Sequence, residues 1–231
     1  MSAGRIGRWW SVAAAKLRHM EHESRLDHDG SAGSAAIPLG AALAASVGPR
    51  AAVLVEGVSD QAAIETLARR RGRDLGTEGV AVVPIGGASK IGHFLTLLGP
   101  RGFDIRLAGL CDVAEQGSFL RGLERAGIGS DLTRSGMESL GFHVCVVDLE
   151  DELIRTLGPG TVEQLIDAQG ELGSFRTMQR QPAQRDRPVH DQLRRFMGTR
   201  SGRKILYARL LVEALDLERV PRPLDGVLEA V

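Results

Sequence analysis

Acidic residues follow apolar segments of this chain at three separate points. Glu56 comes directly after the apolar run Ala51–Val55, and Asp112 comes directly after another apolar run. A second acid lies within four residues of each, and a third apolar run is soon followed by three consecutive acids. The acids singled out at these points are Glu56, Asp60, Asp112, Glu115 and Glu150. Any one of them is equally well explained as an acid favoured by a helix dipole, but that explanation weakens when acids recur at strand ends.

Clustered carboxylates of this kind indicate a divalent metal. Carboxylates that lie close together repel one another, and their pKa values rise unless a cation neutralises them. Mg²⁺ and Mn²⁺ prefer hard oxygen ligands and often bind through a few carboxylates together with substrate phosphates. A pair of such ions can activate water and stabilise the leaving oxygen of a phosphodiester. The pattern therefore predicts a Mg²⁺ or Mn²⁺ site with Glu56, Asp60 and Asp112 at its core.

These acids can meet only if the surrounding chain brings its strand ends together. Apolar runs alternate four times with segments of helical periodicity, joined by connections of a few residues. The predicted strands are 51–55, 79–84, 105–111 and 142–147, and the helices that follow them are 59–71, 89–98, 118–126 and 149–157. This alternation is typical of a parallel sheet flanked by helices, in which ligands bind outside the carboxyl ends of the strands. The predicted fold class is α/β, with a Rossmann-like sheet of about four strands and a helical C-terminal extension.

The chain divides into three predicted parts. Residues 1–35 form an N-terminal arm and linker, 36–158 the α/β domain, and 159–231 the helical extension. A short Ala-rich helix is predicted at 38–47, before the first strand. The best helices of the extension are 161–169, 189–197, 203–215 and a short one within 221–231.

The charges are balanced overall but unevenly placed. With 29 basic and 29 acidic residues, the net charge of zero argues against a nucleic-acid binder that relies on bulk charge. Segment 176–209 nevertheless holds ten basic residues and only two acids, Asp186 and Asp191. A basic segment beside an acidic metal site suits a phosphodiester substrate, and the alternative is an ordinary solvated helical face.

Several classes of protein are disfavoured by the remaining pattern. The two cysteines, Cys111 and Cys145, lie in or beside apolar runs without His partners, which favours buried thiols in a reducing compartment over a zinc site. No apolar run approaches the roughly 18 residues of a membrane span. No G-x-S-x-G elbow is present. We therefore expect a cytoplasmic protein that does not interact with membranes.

Four segments together resemble a known family. They are VLVEGVSD at 53–60, IGGASK at 85–90, LAGLCD at 107–112 and DLEDEL at 148–153. Their sequences and order are similar to the Toprim domains of the OLD (overcoming lysogenization defect) family of ATP-dependent nucleases. The resemblance covers about residues 53–157 and, more weakly, GRKILYARLL at 202–211. It implies a Toprim-like fold.

The resemblance also implies roles for single residues. Glu56 matches the family's acid that serves as metal ligand or general base, and Asp60 and Asp112 match metal ligands. Glu150 matches an acid near a second metal. Lys204 matches a basic residue that stabilises the charge developing on the phosphate.

The sequence departs from the family in two respects. Ala114 stands where the family's Asp-x-Asp motif has its second Asp, which leaves Glu115 as a substitute one residue further on. The ATPase half of full-length OLD proteins is also missing, because no G-x-x-x-x-G-K-[ST] phosphate loop occurs in these residues.

Three functions are compatible with these observations. The first is a stand-alone, metal-dependent nuclease that cleaves DNA in preference to RNA, alone or with a separate ATPase subunit. The second is a Toprim-like binding or regulatory subunit that has lost most of its catalytic power and works with a separate ATPase. The third is a nucleotide-binding protein in which Gly86, Gly87 and Ser89 hold a phosphate at a strand-to-helix turn. A homo-oligomer is a further candidate assembly.

Overall fold

A four-stranded parallel sheet lies at the centre of the computed structural model, which describes residues 49–200 and 202–231. The predicted arm at 1–35 and the predicted helix at 38–47 lie outside the described residues. The strands are β1 Ala51–Val55, β2 Val80–Pro84, β3 Arg106–Cys111 and β4 Phe142–Val144, in the spatial order β2-β1-β3-β4. All three pairings are parallel, with Val53 opposite Val82 on one side and Ala108 on the other. The predicted fold class, a parallel sheet flanked by helices, is confirmed.

Helices connect and cover these strands. In chain order they are α1 Val58–Arg70, α2 Ile91–Leu98, α3 Gln116–Ala126, α4 Arg134–Ser139, α5 Leu149–Leu157, α6 Pro159–Ala168, α7 Leu172–Gln179, α8 Val189–Met197, α9 Arg203–Ala214 and α10 Arg222–Glu229. Short 3₁₀ turns precede α2 and α3 and lie between α9 and α10. None of the described helices has the length and apolarity needed to cross a membrane.

Side chains that alternate along the strands form two apolar cores, one on each face of the sheet. Val53, Val55 and Leu110 face α1, α5, α9 and α10, whereas Leu54 and Cys111 face α2 and α3. The alternation follows from the pleat, which directs successive side chains to opposite faces. Both faces are covered, so every residue of β1 is buried, as expected for the central part of a parallel sheet.

The C-terminal helices pack on the same face as α1. The Arg70 guanidinium donates hydrogen bonds to the carbonyl oxygens of Val212 (2.8 Å) and Leu215 (2.7 Å), at the carboxyl end of α9. Arg73 likewise donates to Leu228 O (2.6 Å) and Val231 O (3.0 Å). These bonds connect the end of α1 and the residues that follow it to backbone carbonyl oxygens at the carboxyl ends of α9 and α10.

The structure differs from the sequence prediction at several element ends. The fourth strand ends at Val144 rather than at 147, because the chain turns away there and Val146 N–H donates to Glu152 Oε1 (2.7 Å). Ser89 does not cap a helix; it lies in a 3₁₀ turn, and α2 begins only at Ile91. Helices α4 and α7 were not predicted. Each buries few apolar side chains, only Met137 in α4 and Phe175 and Met178 in α7, so the apolar pattern is weak. Thr133 nevertheless caps α4 by accepting from Gly136 N–H (3.1 Å).

Gly109 in β3 is a position where even one methyl group should destabilise the fold. A Cβ there would lie 2.7 Å from Phe142 Cδ1 and 3.1 Å from the carbonyl oxygen of Leu54. We expect Gly109→Ala to lower the free energy of unfolding by about 1–3 kcal/mol, the usual cost of overpacking. Urea denaturation measures this value. The matched control is Gly92→Ala in α2, where a Cβ meets nothing within 4 Å, and where added helix propensity should leave stability unchanged or raise it. Equal changes in the free energy of unfolding for the two substitutions would show that a methyl group at Gly109 is not overpacked.

Candidate metal centre

Glu56 joins the carboxyl ends of β1 and β3. Its Oε1 atom accepts a hydrogen bond from the backbone N–H of Asp112 (3.0 Å), so the two strand-end acids are held side by side. Burial raises the pKa of Glu56, and the negative charges of Asp60 and Glu115 raise it further. The carboxylate therefore lies in an environment that favours either a proton or a cation.

Asp60 reaches the same edge of the sheet from the first turn of α1. The predicted cap at Ser59 or Asp60 is replaced by Gly57, whose backbone N–H donates to Asp60 Oδ2 (2.9 Å). Burial raises the pKa of Asp60, and the charge of Asp148 adds to this effect.

Asp112, directly beyond β3, has a strong tendency to hold a proton. Burial is the largest cause, followed by the charges of Glu56, Asp148 and Asp60, and together they raise its pKa from 3.8 to about 8. The structure therefore brings together the three acids that the sequence placed at the core of the site.

Glu150 and Lys204 form an ion pair beside these acids. Glu150 is only 3% exposed, and its Oε2 lies 3.2 Å from Lys204 Nζ. Its Oε1 is buried and has no hydrogen-bond partner among the described residues. Burial raises the pKa of Glu150 to about 7, although Lys204 opposes the rise. For Lys204, burial favours the neutral amine, but the nearby charges of Glu150 and Asp60 outweigh it and raise the pKa of the lysine.

Two residues of this region were missed by the sequence reasoning. Asp148 caps α5 by accepting from Asp151 N–H (2.8 Å), and its Oδ2 lies 2.5 Å from Arg194 Nε. The charge of Asp148 raises the pKa of Asp60, Asp112 and Glu150, so this carboxylate also faces the cluster. A signal was available, because Asp148 opens the DLEDEL segment and is a favoured helix-capping residue type.

The departure from the family motif lies on the 3₁₀ turn after β3. Ala114 is exposed there, and Glu115 is partly buried. The charge of Glu115 raises the pKa of Glu56, which places this carboxylate on the Glu56 side of the cluster. Glu150 instead lies on the Lys204 side, so the two substitutes for the missing Asp occupy different flanks of the site.

The turn proposed for phosphate binding directs its amides inward. The N–H groups of Gly86 and Gly87 donate to the carbonyl oxygen of Glu56, at 3.1 and 3.3 Å. Ser89 is exposed and makes no capping hydrogen bond. The turn therefore supports the position of Glu56 and does not present a free pair of glycine amides to a ligand.

Comparison with known proteins agrees with this geometry. Residues 50–113 match the family model described as the overcoming lysogenization defect protein-like Toprim domain. This segment therefore resembles an OLD-like Toprim domain. The match includes Glu56, Asp60 and Asp112, whereas Glu150 and Lys204 lie outside it.

Solved structures show the same fold over a longer part of the chain. The C-terminal region of the Xanthomonas campestris pv. campestris OLD protein superposes with a TM-score of 0.60 at 22% identity, covering 79% of this chain and 94% of that chain. The C-terminal region of the Burkholderia pseudomallei OLD protein superposes with a TM-score of 0.59 at 20% identity, covering 79% and 96%. At these identities the likeness concerns the fold alone. No functionally curated protein matches the chain.

The acidic residues gathered at this edge of the sheet fit a hard divalent cation. Their donors are carboxylate oxygens, the buried Glu150 Oε1 has no partner among described groups, and Asp112 has a pKa of about 8. Within residues 49–200 and 202–231, no three His, Cys, Asp or Glu side chains are already grouped around one ion position. Metal binding at this cluster would therefore require rotation of these side chains and loss of the proton that Asp112 holds below pH 8.

Proposed function

We propose that this protein is a divalent-metal-dependent nuclease of the Toprim type, which hydrolyses phosphodiester bonds of DNA in the cytoplasm. The observation that carries the proposal is the convergence of acids from separate strand ends on one lysine. The charge of Lys204 lowers the pKa of Glu56, Asp60, Asp112 and Glu150, so a single ammonium group acts on the whole cluster. Four acids beside one cation leave a net negative charge that suits Mg²⁺ or Mn²⁺.

The roles of the acids follow from their positions. Glu56, Asp60 and Asp112 would hold one ion, with Glu115 or Glu150 contributing to a second. When bound, such ions polarise the phosphate and lower the pKa of water. In the alternative role of general base, Glu56 would accept a proton from the attacking water, because its raised pKa makes it a stronger base than an exposed glutamate.

The cations of the site have a complementary task. Lys204 Nζ, held by Glu150, would bind a non-bridging phosphate oxygen and stabilise the charge that develops there. Arg194 fixes the carboxylate of Asp148 and keeps its charge directed at the cluster. A separate ATPase subunit and a second copy of the chain are the partners proposed for this activity.

Nicking of supercoiled plasmid DNA tests the proposal. Wild-type protein should nick the plasmid in Mg²⁺ or Mn²⁺ and stop when EDTA is added, and Glu56→Ala should show no nicking above background. The matched control is Glu65→Ala, which should leave the rate unchanged. Glu65 is an exposed glutamate on α1 that accepts a hydrogen bond from Gln61 Nε2 (2.8 Å) and from no other described side chain. Equal nicking by wild type and Glu56→Ala, or nicking that persists in EDTA, would refute the assignment.

The exposed Ala114 favours a second function, in which the domain binds or regulates without efficient catalysis. Loss of one carboxylate from the Asp-x-Asp motif removes a ligand on the β3 side, and Glu115 has to replace it from a shifted position. Calorimetry at millimolar metal distinguishes the two. A folded protein that gives no heat with Mg²⁺ or Mn²⁺ and does not nick DNA would support this second function over the first.

A further inference from the structure

A cavity of about 490 Å³ lies directly beside the Glu150–Lys204 pair. One wall belongs to the metal centre and the other to α8 and the chain that precedes it. The residues that line the cavity are Asp148, Glu150, Arg187, Asp191, Arg194, Arg195, Gly198 and Lys204. Its volume falls in the range of roughly 300–1,000 Å³ that is usual for ligand sites.

The cations of this cavity divide into two kinds. Lys204 and Arg194 are held by carboxylates of the site, Glu150 and Asp148. Arg187 and Arg195 are exposed, and no carboxylate of the described residues lies within ion-pair distance of either.

Three other arginines of the basic segment have carboxylate partners and lie outside the cavity. Arg176 pairs with Glu163 (2.5 Å), and Arg203 pairs with the carboxylate of Glu171 (2.7 Å). Arg185 lies 3.6 Å from the carboxylate of Asp186 and does not line the cavity. The basic segment therefore combines ordinary ion pairs with two unpaired guanidinium groups that open onto the cavity.

We propose that this cavity binds the phosphate next to the one that is cleaved, with Arg187 and Arg195 as its ligands. The inference rests on the proposed nuclease function, because it takes Lys204 as the contact to the scissile phosphate. Guanidinium groups bind phosphate oxygens through two parallel hydrogen bonds, which a strand of DNA can provide at each successive phosphate. The paired cations then lie at the reacting phosphate, and the unpaired ones lie along the strand.

Removing the charge of Asp191 should change the affinity for DNA in the opposite direction from removing an arginine. It is the exposed acid of the cavity, at the first turn of α8, and none of the described cations pairs with it. Its charge would repel a bound phosphate. Asp191→Asn should therefore bind DNA more tightly than wild type at low salt, whereas the arginine substitutions should weaken binding.

The test measures the salt dependence of DNA binding. A short fluorescein-labelled duplex is titrated with protein at several salt concentrations, with Ca²⁺ in place of Mg²⁺ and strand integrity checked on a gel. Each phosphate contact contributes about 0.9 to the slope of log K against log salt. Arg187→Ala and Arg195→Ala should each reduce the slope, and the double variant, which loses the whole phosphate contact, should reduce it by about this amount. The corresponding lysine substitutions should retain the wild-type slope.

The matched control is Arg185→Ala, which removes the same charge from the same segment but outside the cavity. It should change the slope by less than half as much. Three outcomes would overturn the proposal. Arg187→Ala and Arg195→Ala could have the wild-type slope, Arg185→Ala could reduce the slope as much as they do, or the wild-type protein could fail to bind DNA. If the slopes change as expected but the protein nicks nothing, the phosphate site stands and the nuclease function fails. If nicking occurs and the slopes do not change, the site alone fails.

Discussion

Replacing Asp112 with Asn is expected to stabilise the metal-free protein at pH 8 and, at the same time, to abolish metal-dependent nicking. The pKa of Asp112 rises from 3.8 to about 8 because the carboxyl group is buried among other acids. The folded protein therefore keeps a proton on Asp112 at pH values where the unfolded chain has released it. The contribution of this proton to the free energy of unfolding is fully present below about pH 4 and is lost as the pH rises to about 8.

Asparagine removes this pH dependence because it has no proton to lose and carries no charge to repel Glu56 or Asp60. We expect a gain of about 2 kcal/mol or more at pH 8 in EDTA, which corresponds to a rise in Tm of about 4–8 °C for a chain of this size. The Asp112 side chain makes no capping hydrogen bond that asparagine would have to replace. Mg²⁺ should raise the Tm of wild type and have little effect on the variant, because a ligand that binds only the folded state stabilises it.

Thermal denaturation between pH 4 and pH 8, with and without Mg²⁺, measures both effects. Asp167→Asn, an exposed aspartate in α6, is the matched control and should follow the wild-type curve. If the stability of Asp112→Asn has the same pH dependence as that of wild type, or if its Tm at pH 8 is lower, the ionised carboxylate of Asp112 does not destabilise the folded protein.

Replacing Lys204 with Met is expected to reduce nicking by about 10²–10³-fold, the usual effect of removing one group that stabilises developing negative charge. The substitution also removes the cation that forms an ion pair with the buried Glu150. The pKa of Glu150, already about 7, should then rise further, and the protein should lose stability at pH values above it.

These two consequences can be separated with a double variant. Adding Glu150→Gln to Lys204→Met removes the unpaired buried charge, so stability above pH 7 should recover while nicking stays low. Lys90→Met is the matched control, since Lys90 is exposed beside the turn after β2 and has no carboxylate partner among the described residues. A double variant that recovers nicking together with stability would show that Lys204 acts only through the fold.

The sequence by itself determined the alternation of strands and helices and the positions of the acids along it. Apolar runs such as Ala51–Val55 are local signals, and a parallel order of strands then requires Glu56 and Asp112 to lie at the same edge of the sheet. The Toprim resemblance depends on the same residues, which explains why the family match covers the segment from 50 to 113.

Only the tertiary structure decided how these acids are paired. Asp148 lies 46 residues from Arg194, and Glu150 lies far along the chain from Lys204, so no local pattern relates the partners. The hydrogen bonds of the Gly86 and Gly87 amides could not be predicted either, because their acceptor is the backbone carbonyl of Glu56, about 30 residues earlier in the chain. Electrostatics at this edge depends on burial and on distances between elements. The sequence therefore indicated Glu56, Asp60, Asp112 and Glu150 as members of the cluster. The contribution of Asp148, the pKa values and the two unpaired arginines of the cavity followed only from how α5, α8 and α9 pack around these acids.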